Sequence, residues 1–135
     1  MKLIYPAIFY KDENSNGYTV EVPDLPGCVT EGNSLEEAIE NGVDAASGWI
    51  LDELEDGHVA PKSSSPLSLK PDEGGFVSLL TLDIDSFAEK FGNKAVRKNL
   101  TIPAWLNTFA ESRHINFSDV LQNSLKELYR KEQGN

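Results

Sequence analysis

Residues 97–103 read Arg-Lys-Asn-Leu-Thr-Ile-Pro, and their polar and apolar side chains alternate with a period of two. In an extended strand Leu100 and Ile102 fall on one side, with Arg97, Asn99 and Thr101 on the other. A strand of this kind standing alone leaves N–H and C=O groups unpaired along both edges. A second copy pairing antiparallel satisfies one edge, and the two-stranded ribbon so formed is narrow enough to lie in the DNA major groove. Arg and Asn side chains have the fork geometries that suit guanine and adenine edges there. The segment therefore predicts a homodimer, joined through this C-terminal strand, that reads double-stranded DNA.

The flanking residues extend the pattern. Pro103 suits a first helical position, where its missing N–H costs nothing, and Leu106, Phe109 and Ala110 then share one helical face. Asn116 and Asp119 have capping-box spacing ahead of a second pattern at Val120, Leu121, Ser124, Leu125 and Leu128. Residues 94–131 thus resemble the ribbon-helix-helix DNA-binding family. The resemblance implies that Arg97, Asn99 and Thr101 read bases, and that Phe117 and Ser118 head a helix whose free N–H groups hold a phosphate. Lys98 departs from the family pattern, which has an apolar residue at that inward position. Either its stem snorkels and its ammonium joins the phosphate contacts, or the strand begins one residue later. An ordinary edge strand with two packing helices is the alternative reading.

The overall charge of −10 taken alone argues against nucleic acid, but the average hides a division. Residues 1–92 carry five Lys and no Arg against 18 Asp and Glu, a net of −13. Residues 93–135 carry seven Lys and Arg against four acids, a net of +3. An acidic body joined to a basic tail implies two surfaces with different clients. With 39% apolar and 25% charged residues, the composition is that of a soluble globular protein able to build a core. Apolar runs are too short to span a bilayer, so no membrane partner is expected, and no leader pattern opens the chain. The single Cys28 cannot form an internal disulfide, so a reducing cytoplasm is the economical setting.

In the acidic body, residues 3–11 predict a strand in which Pro6 marks an edge or strand-start position. A polar turn over 12–17 leads to a return strand over 18–22, and the turn 23–28 to a short strand near Val29. Ser34 and Glu37 form a capping box. The stripe Leu35, Ala38, Ile39, Gly42, Val43, Ala46, Trp49, Ile50 and Leu54 then predicts a helix over 35–57 with an acidic opposite face. Gly42 and Gly48 suggest close packing against a sheet, and Gly57 and Pro61 end the helix. Residues 62–71 read as a loop. Residues 75–83, nearly continuous in apolar side chains, read as a central strand, and residues 84–93 as a short helix or linker.

Tyr5-Pro6-Ala7, Gly17-Tyr18, the run Asp24-Leu25-Pro26-Gly27-Cys28-Val29-Thr30-Glu31-Gly32, Ser34 to Ala38, and Leu54 to Gly57 resemble the N-terminal domain of the HicB antitoxins. The likeness covers residues 3–84, and with the tail it covers nearly the whole chain. It implies an α+β protein: a truncated ribonuclease-H-like domain of antiparallel strands and one long helix over 1–84, a linker or short helix over 85–93, and a ribbon-helix-helix domain over 94–135. It also implies neutralisation of a HicA-type RNA-cleaving toxin and repression of the chain's own operon at palindromic DNA, as a dimer or tetramer. A basic toxin surface would meet the acidic helix face or the hairpin edge. The run Asp52, Glu53, Glu55 and Asp56 is either that contact or a solubilising face. A stand-alone repressor whose acidic domain senses a ligand is the alternative function.

Catalytic patterns are not expected here. The first strand offers no carboxylate, and Asp83 and Asp85 read as solvated strand-end acids rather than as a two-metal site. His58 and His114 lack ligand spacing, and Cys28 reads as a buried thiol. No phosphate-binding glycine motif occurs. Neither enzyme activity nor a cofactor or metal is therefore predicted. Trp49 continues the core stripe, and Trp105 is assigned to dimer packing or a partner contact.

Overall fold

The computed structural model describes residues 1–134, which divide into two compact units, Met1–Lys94 and Ala95–Asn135. In the first, β1 (Lys2–Lys11), β2 (Tyr18–Glu21) and β3 (Val29–Gly32) precede α1 (Leu35–Glu55), β4 (Gly75–Asp83) and α2 (Ile84–Phe91). The second holds α3 (Ala104–Ser112) and α4 (Phe117–Gln133). This is an α+β chain with one antiparallel sheet of order β3-β2-β1-β4 and four helices.

Residue alternation in β1 sorts the sheet's faces. Tyr5, Ala7 and Phe9 point to the side where α1 lies and enter one core with Val20, Leu80, Leu82, Ala38, Ala46 and Ile50. The capping box works at the start of α1, where the Ser34 hydroxyl accepts the Glu37 N–H at 3.1 Å. At the far end Asp56 caps the helix and Gly57 follows at φ 87°, a conformation glycine adopts without penalty. Gly42 lets the helix settle on the sheet, since a Cβ there would sit 3.3 Å from Leu80 and 3.4 Å from Val20. Gly48 faces Phe87 of α2 instead. Closest of all is Gly32 of β3, where a Cβ would come within 2.3 Å of the Ala38 nitrogen.

Two strand assignments change. β4 was expected at the centre of the sheet and lies at its edge, paired only with β1. β1, whose Pro6 suggested an edge, is an interior strand. The reasons are linked. β2 pairs only with Ile8–Lys11, so the Pro6 half of β1 has a single neighbour and tolerates a missing N–H. In β4 only Leu80 and Leu82, on the core face, are buried, while Leu79 on the other face is half-exposed, so its apolar run does not report strands on both sides.

The segment 56–74 returns from the end of α1 to the start of β4, packs Ala60 against the core and includes a 3₁₀ turn at Pro66–Ser68 that packs on β4. It is pinned along its length. The Tyr5 hydroxyl donates to the Pro61 carbonyl, the Ser64 N–H and hydroxyl donate to the Asp24 carboxylate, and the Asp72 N–H donates to the Tyr10 hydroxyl at 3.3 Å. Burial first, and the Asp24 charge second, push the Tyr5 hydroxyl above its ordinary pKa, so it stays a donor. Pro6 and Ile8, on the face of β1 opposite Tyr5, Ala7 and Phe9, are buried as well.

Candidate functional site

The second unit keeps little apolar surface from solvent, and Ala110 is its one buried hydrophobic side chain among the described residues. Residues 92–103 form no regular element within a single chain, so the strand expected over 97–102 is absent from it. A strand needs a hydrogen-bonded neighbour, and none of the chain's own segments supplies one here. Pro103 is the N-cap of α3 rather than its first residue, one position from expectation, and makes no side-chain cap bond.

An open groove of ≈ 690 Å³ runs across this unit. Leu100, Ile102, Leu106, Phe109, Ile115, Val120 and Leu121 give it an apolar lining. The arm contributes Lys98, Leu100 and Ile102, while Arg97, Asn99 and Thr101 are exposed and stand outside the lining. The period-two alternation is thus present in space without a strand partner. Lys98 occupies the inward position where an apolar residue was expected, so its stem shares the groove wall. Trp105 is 72% exposed and outside the groove lining.

The turn between the helices is built locally. His114 takes φ 56°, and the Ile115 N–H reaches back to the Ala110 carbonyl at 3.1 Å, closing α3. Asn116 then caps α4 by accepting the Asp119 N–H at 3.1 Å. Phe117 and Ser118 begin α4 and both line the groove; the N–H groups of a helix's first turn have no carbonyl behind them to receive a bond. Ile115, overlooked in the helical patterns, lines the groove together with Val120. Its signal was available: a residue before an N-cap and one four positions past it form a hydrophobic staple.

In the first unit the acids Asp52, Glu53, Glu55 and Asp56 end α1, with no basic residue in its last turn. Negative charge is unfavourable at a helix C-terminus. Two of the four have partners: His58 Nδ1 lies 3.0 Å from Glu53, and Lys94 Nζ 3.2 Å from Asp56. Asp52 is exposed and Glu55 half-buried. Asp83 and Asp85, the strand-end pair, take separate structural tasks. Asp83 caps α2 through the Ser86 N–H and hydroxyl at 3.2 Å, and Asp85 binds the Met1 amine at 2.6 Å. The Ser86 N–H chiefly holds the Asp83 carboxyl below its usual range, against a desolvation cost that exceeds each of the smaller contributions from the Ser86 hydroxyl, Lys2 and the terminal amine. Among the described residues no three His, Cys, Asp or Glu side chains gather to hold a metal. Burial pushes the Cys28 thiol up, away from a reactive thiolate. No helix of the described residues is long and apolar enough to cross a membrane. Trp49 is half-buried against the core and its Nε1 donates to the Pro26 carbonyl at 3.0 Å, steadying the turn before β3.

Comparison with known proteins places this architecture. A 14.9 kDa protein encoded in the rep-hol intergenic region of Haemophilus phage HP1 is 34% identical over 104 residues, covering 77% of this chain and 76% of its own length. The structure is similar to a chain of a toxin–antitoxin complex from Streptococcus pneumoniae, with TM-score 0.61 and 25% identity over 94% of this chain and 99% of that one. It is also similar to the Burkholderia pseudomallei antitoxin HicB, with TM-score 0.53 and 26% identity over 96% and 98% of the two chains. The profile of the HicB-like antitoxins of bacterial toxin–antitoxin systems matches residues 5–124, and to that family this chain belongs.

Proposed function

We propose that this antitoxin works with two surfaces, neutralising a HicA-type RNA-cleaving toxin with its acidic first unit and binding palindromic operator DNA with a dimer of its second. The observation that carries the DNA reading is the partition of the arm. Leu100 and Ile102 turn into the groove while Arg97, Asn99 and Thr101 stay outside it. Antiparallel pairing of two arms would bury the former across the dimer and place the latter together on one face of a ribbon that fits the major groove. This is the ribbon-helix-helix reading of residues 94–135, with Lys98 and the α4 start at Phe117 and Ser118 on phosphates. Repression of the chain's own operon follows from occupancy of that site.

For the toxin, an acidic unit offers electrostatic complementarity to a surface that must hold RNA, which speeds association and excludes substrate. The uncompensated acids ending α1 support a role beyond stability for Asp52 and Glu55, and the likeness to a chain of a toxin–antitoxin complex supports the kind of partner. Reading this unit as a truncated ribonuclease-H-like domain rests on its order of three strands, helix and strand. The 56–74 return turns the last strand antiparallel to the first. Family membership favours this account over a ligand-sensing repressor.

The test is a binding comparison on the chain's own upstream DNA. Arg97→Ala is expected to cost about 1–3 kcal/mol on the operator and little on random sequence, whereas Ser118→Ala weakens both alike. Equal losses on both DNAs for Arg97→Ala would refute the base-reading role. Failure to form a complex with the co-encoded toxin at micromolar concentration would refute the other half.

A further inference from the structure

We propose that Lys98 makes pairing of the two arms conditional on DNA: it opposes the dimer in free protein and is neutralised by backbone phosphates once the ribbon lies on its operator. The coupling rests on the paired-arm reading above and adds an energetic condition to it. Lys98 stands with Leu100 and Ile102 on the groove wall, and no Asp or Glu lines that groove. Among the described residues no carboxylate forms an ion pair with Lys98. Between Glu89 and Glu111 the sequence carries Lys90, Lys94, Arg97 and Lys98 and no acid. Lys94 is held by Asp56 at 3.2 Å, so the charges each arm brings to the other without a counter-ion are Arg97 and Lys98.

Strand geometry separates these two charges. Residues directly opposite in an antiparallel pair share a face. Keeping Arg97, Asn99 and Thr101 on one face therefore sets odd-numbered residues against odd and even against even. The longest registers of this kind within residues 97–102 are centred on Asn99 or on Leu100. Centred on Asn99, Lys98 lies across from Leu100 of the second copy; centred on Leu100, it lies across from Ile102. Either register puts a lysine against an apolar side chain in the part of the contact that loses water, whereas Arg97 keeps to the wet face. The Lys98 stem can cover that side chain while its ammonium reaches the rim. The wall it shares there holds Phe117 and Ser118 of the first turn of α4, where the helix presents positive partial charge. Nothing within the groove lining compensates the ammonium, and a phosphate oxygen is the counter-charge it lacks. By linkage, DNA that neutralises Lys98 in the dimer strengthens pairing by the factor by which pairing strengthens DNA binding.

The experiment follows association of the full chain by sedimentation equilibrium and takes as the arm's share the step that Leu100→Asp abolishes. Lys98→Met should lower the dissociation constant of that step by about tenfold or more. Lys98→Gln, which removes the charge without adding apolar surface, should lower it by a smaller factor, and Lys98→Arg should not lower it. Raising the salt from about 50 to about 500 mM should tighten the parent dimer more than the Lys98→Met dimer, because screening weakens a repulsion that the variant has lost. On operator DNA, below the parent's dissociation constant, occupancy by the parent should rise with the square of protein concentration. Lys98→Met, already paired at those concentrations, should bind with a first-power dependence. A Lys98→Met constant within about twofold of the parent, in a chain whose association Leu100→Asp does abolish, overturns the coupling and leaves the ribbon standing. A Leu100→Asp chain that keeps the parent's mass at every concentration removes the ribbon itself and the coupling with it.

Discussion

Leu100→Ala is the most direct measure of whether the groove of the second unit is half of a dimer core. Leu100 is 65% exposed in the single chain yet lines the groove. Truncation to Ala removes three carbons, worth about 2.4 kcal/mol when transferred fully from water at about 0.8 kcal/mol each. Scaled by the fraction still exposed before association, the loss is about 1.6 kcal/mol per copy and ~3 kcal/mol per dimer. The dimer dissociation constant should therefore rise by about two orders of magnitude. Sedimentation equilibrium over a concentration series gives the constant directly. The folded single chain should be little affected, since the side chain contributes few buried contacts to it. Operator affinity should fall in step at concentrations below the new dissociation constant. A dimer constant within threefold of the parent would refute the burial of Leu100 between copies, and with it the pairing of the arms.

Two further expectations concern the first unit. Gly32→Ala should destabilise it by about 3 kcal/mol or more in urea melts, because the new methyl meets the backbone at Ala38 and Glu37 rather than a movable side chain; a loss under about 1 kcal/mol would contradict that approach of β3 to α1. Asp83→Ala should lower stability at neutral pH, since the folded carboxyl titrates below its usual range and its contribution, present above the unfolded value, is lost as pH falls through the folded one. Urea melts across a pH series should show the two proteins converging on acidification, and a gap independent of pH would contradict the charge-based account.

What the sequence disclosed depended on whether the signal was local. The helix expected over 35–57 is α1, Leu35–Glu55, because Ser34, the apolar stripe and Gly57 each act within a turn or two of their neighbours. Leu51 and Ser47 are buried beyond the stripe, which shows the packed face to be broader than periodicity alone suggested. The position of β4 was misread because an apolar run does not report the number of strands beside it, and here only Leu80 and Leu82 of the run are buried. The return through 56–74 is held by Asp24–Ser64, Tyr5–Pro61 and Tyr10–Asp72, pairs 40 to 62 residues apart that no local pattern joins. The arm is the converse case. Its alternation was legible, and it survives in the groove lining, but a strand is a property of two segments, and no described segment of this chain pairs with the arm.

The division of charge reconciles a net charge of −10 with the DNA-binding role proposed for the arm. At physiological ionic strength a charge is felt over about 8 Å, so the field at a phosphate is set by Arg97, Lys98 and the residues next to them, not by the sum over 135 residues. The acids of residues 1–92 therefore need not oppose binding at the arm, provided that they are held more than that distance from the duplex. They exclude only non-specific contacts between the first unit and nucleic acid, where repulsion works in the protein's favour. The same screening explains why placing the acids on their own folding unit is useful. On the proposed function, a basic toxin would meet the net −13 of residues 1–92 undiluted by the arm's lysines and arginines, and the arm would meet DNA without presenting those acids. Separation into two units thus gives each client a field of the right sign, which a single fold carrying the same composition in mixed order would not.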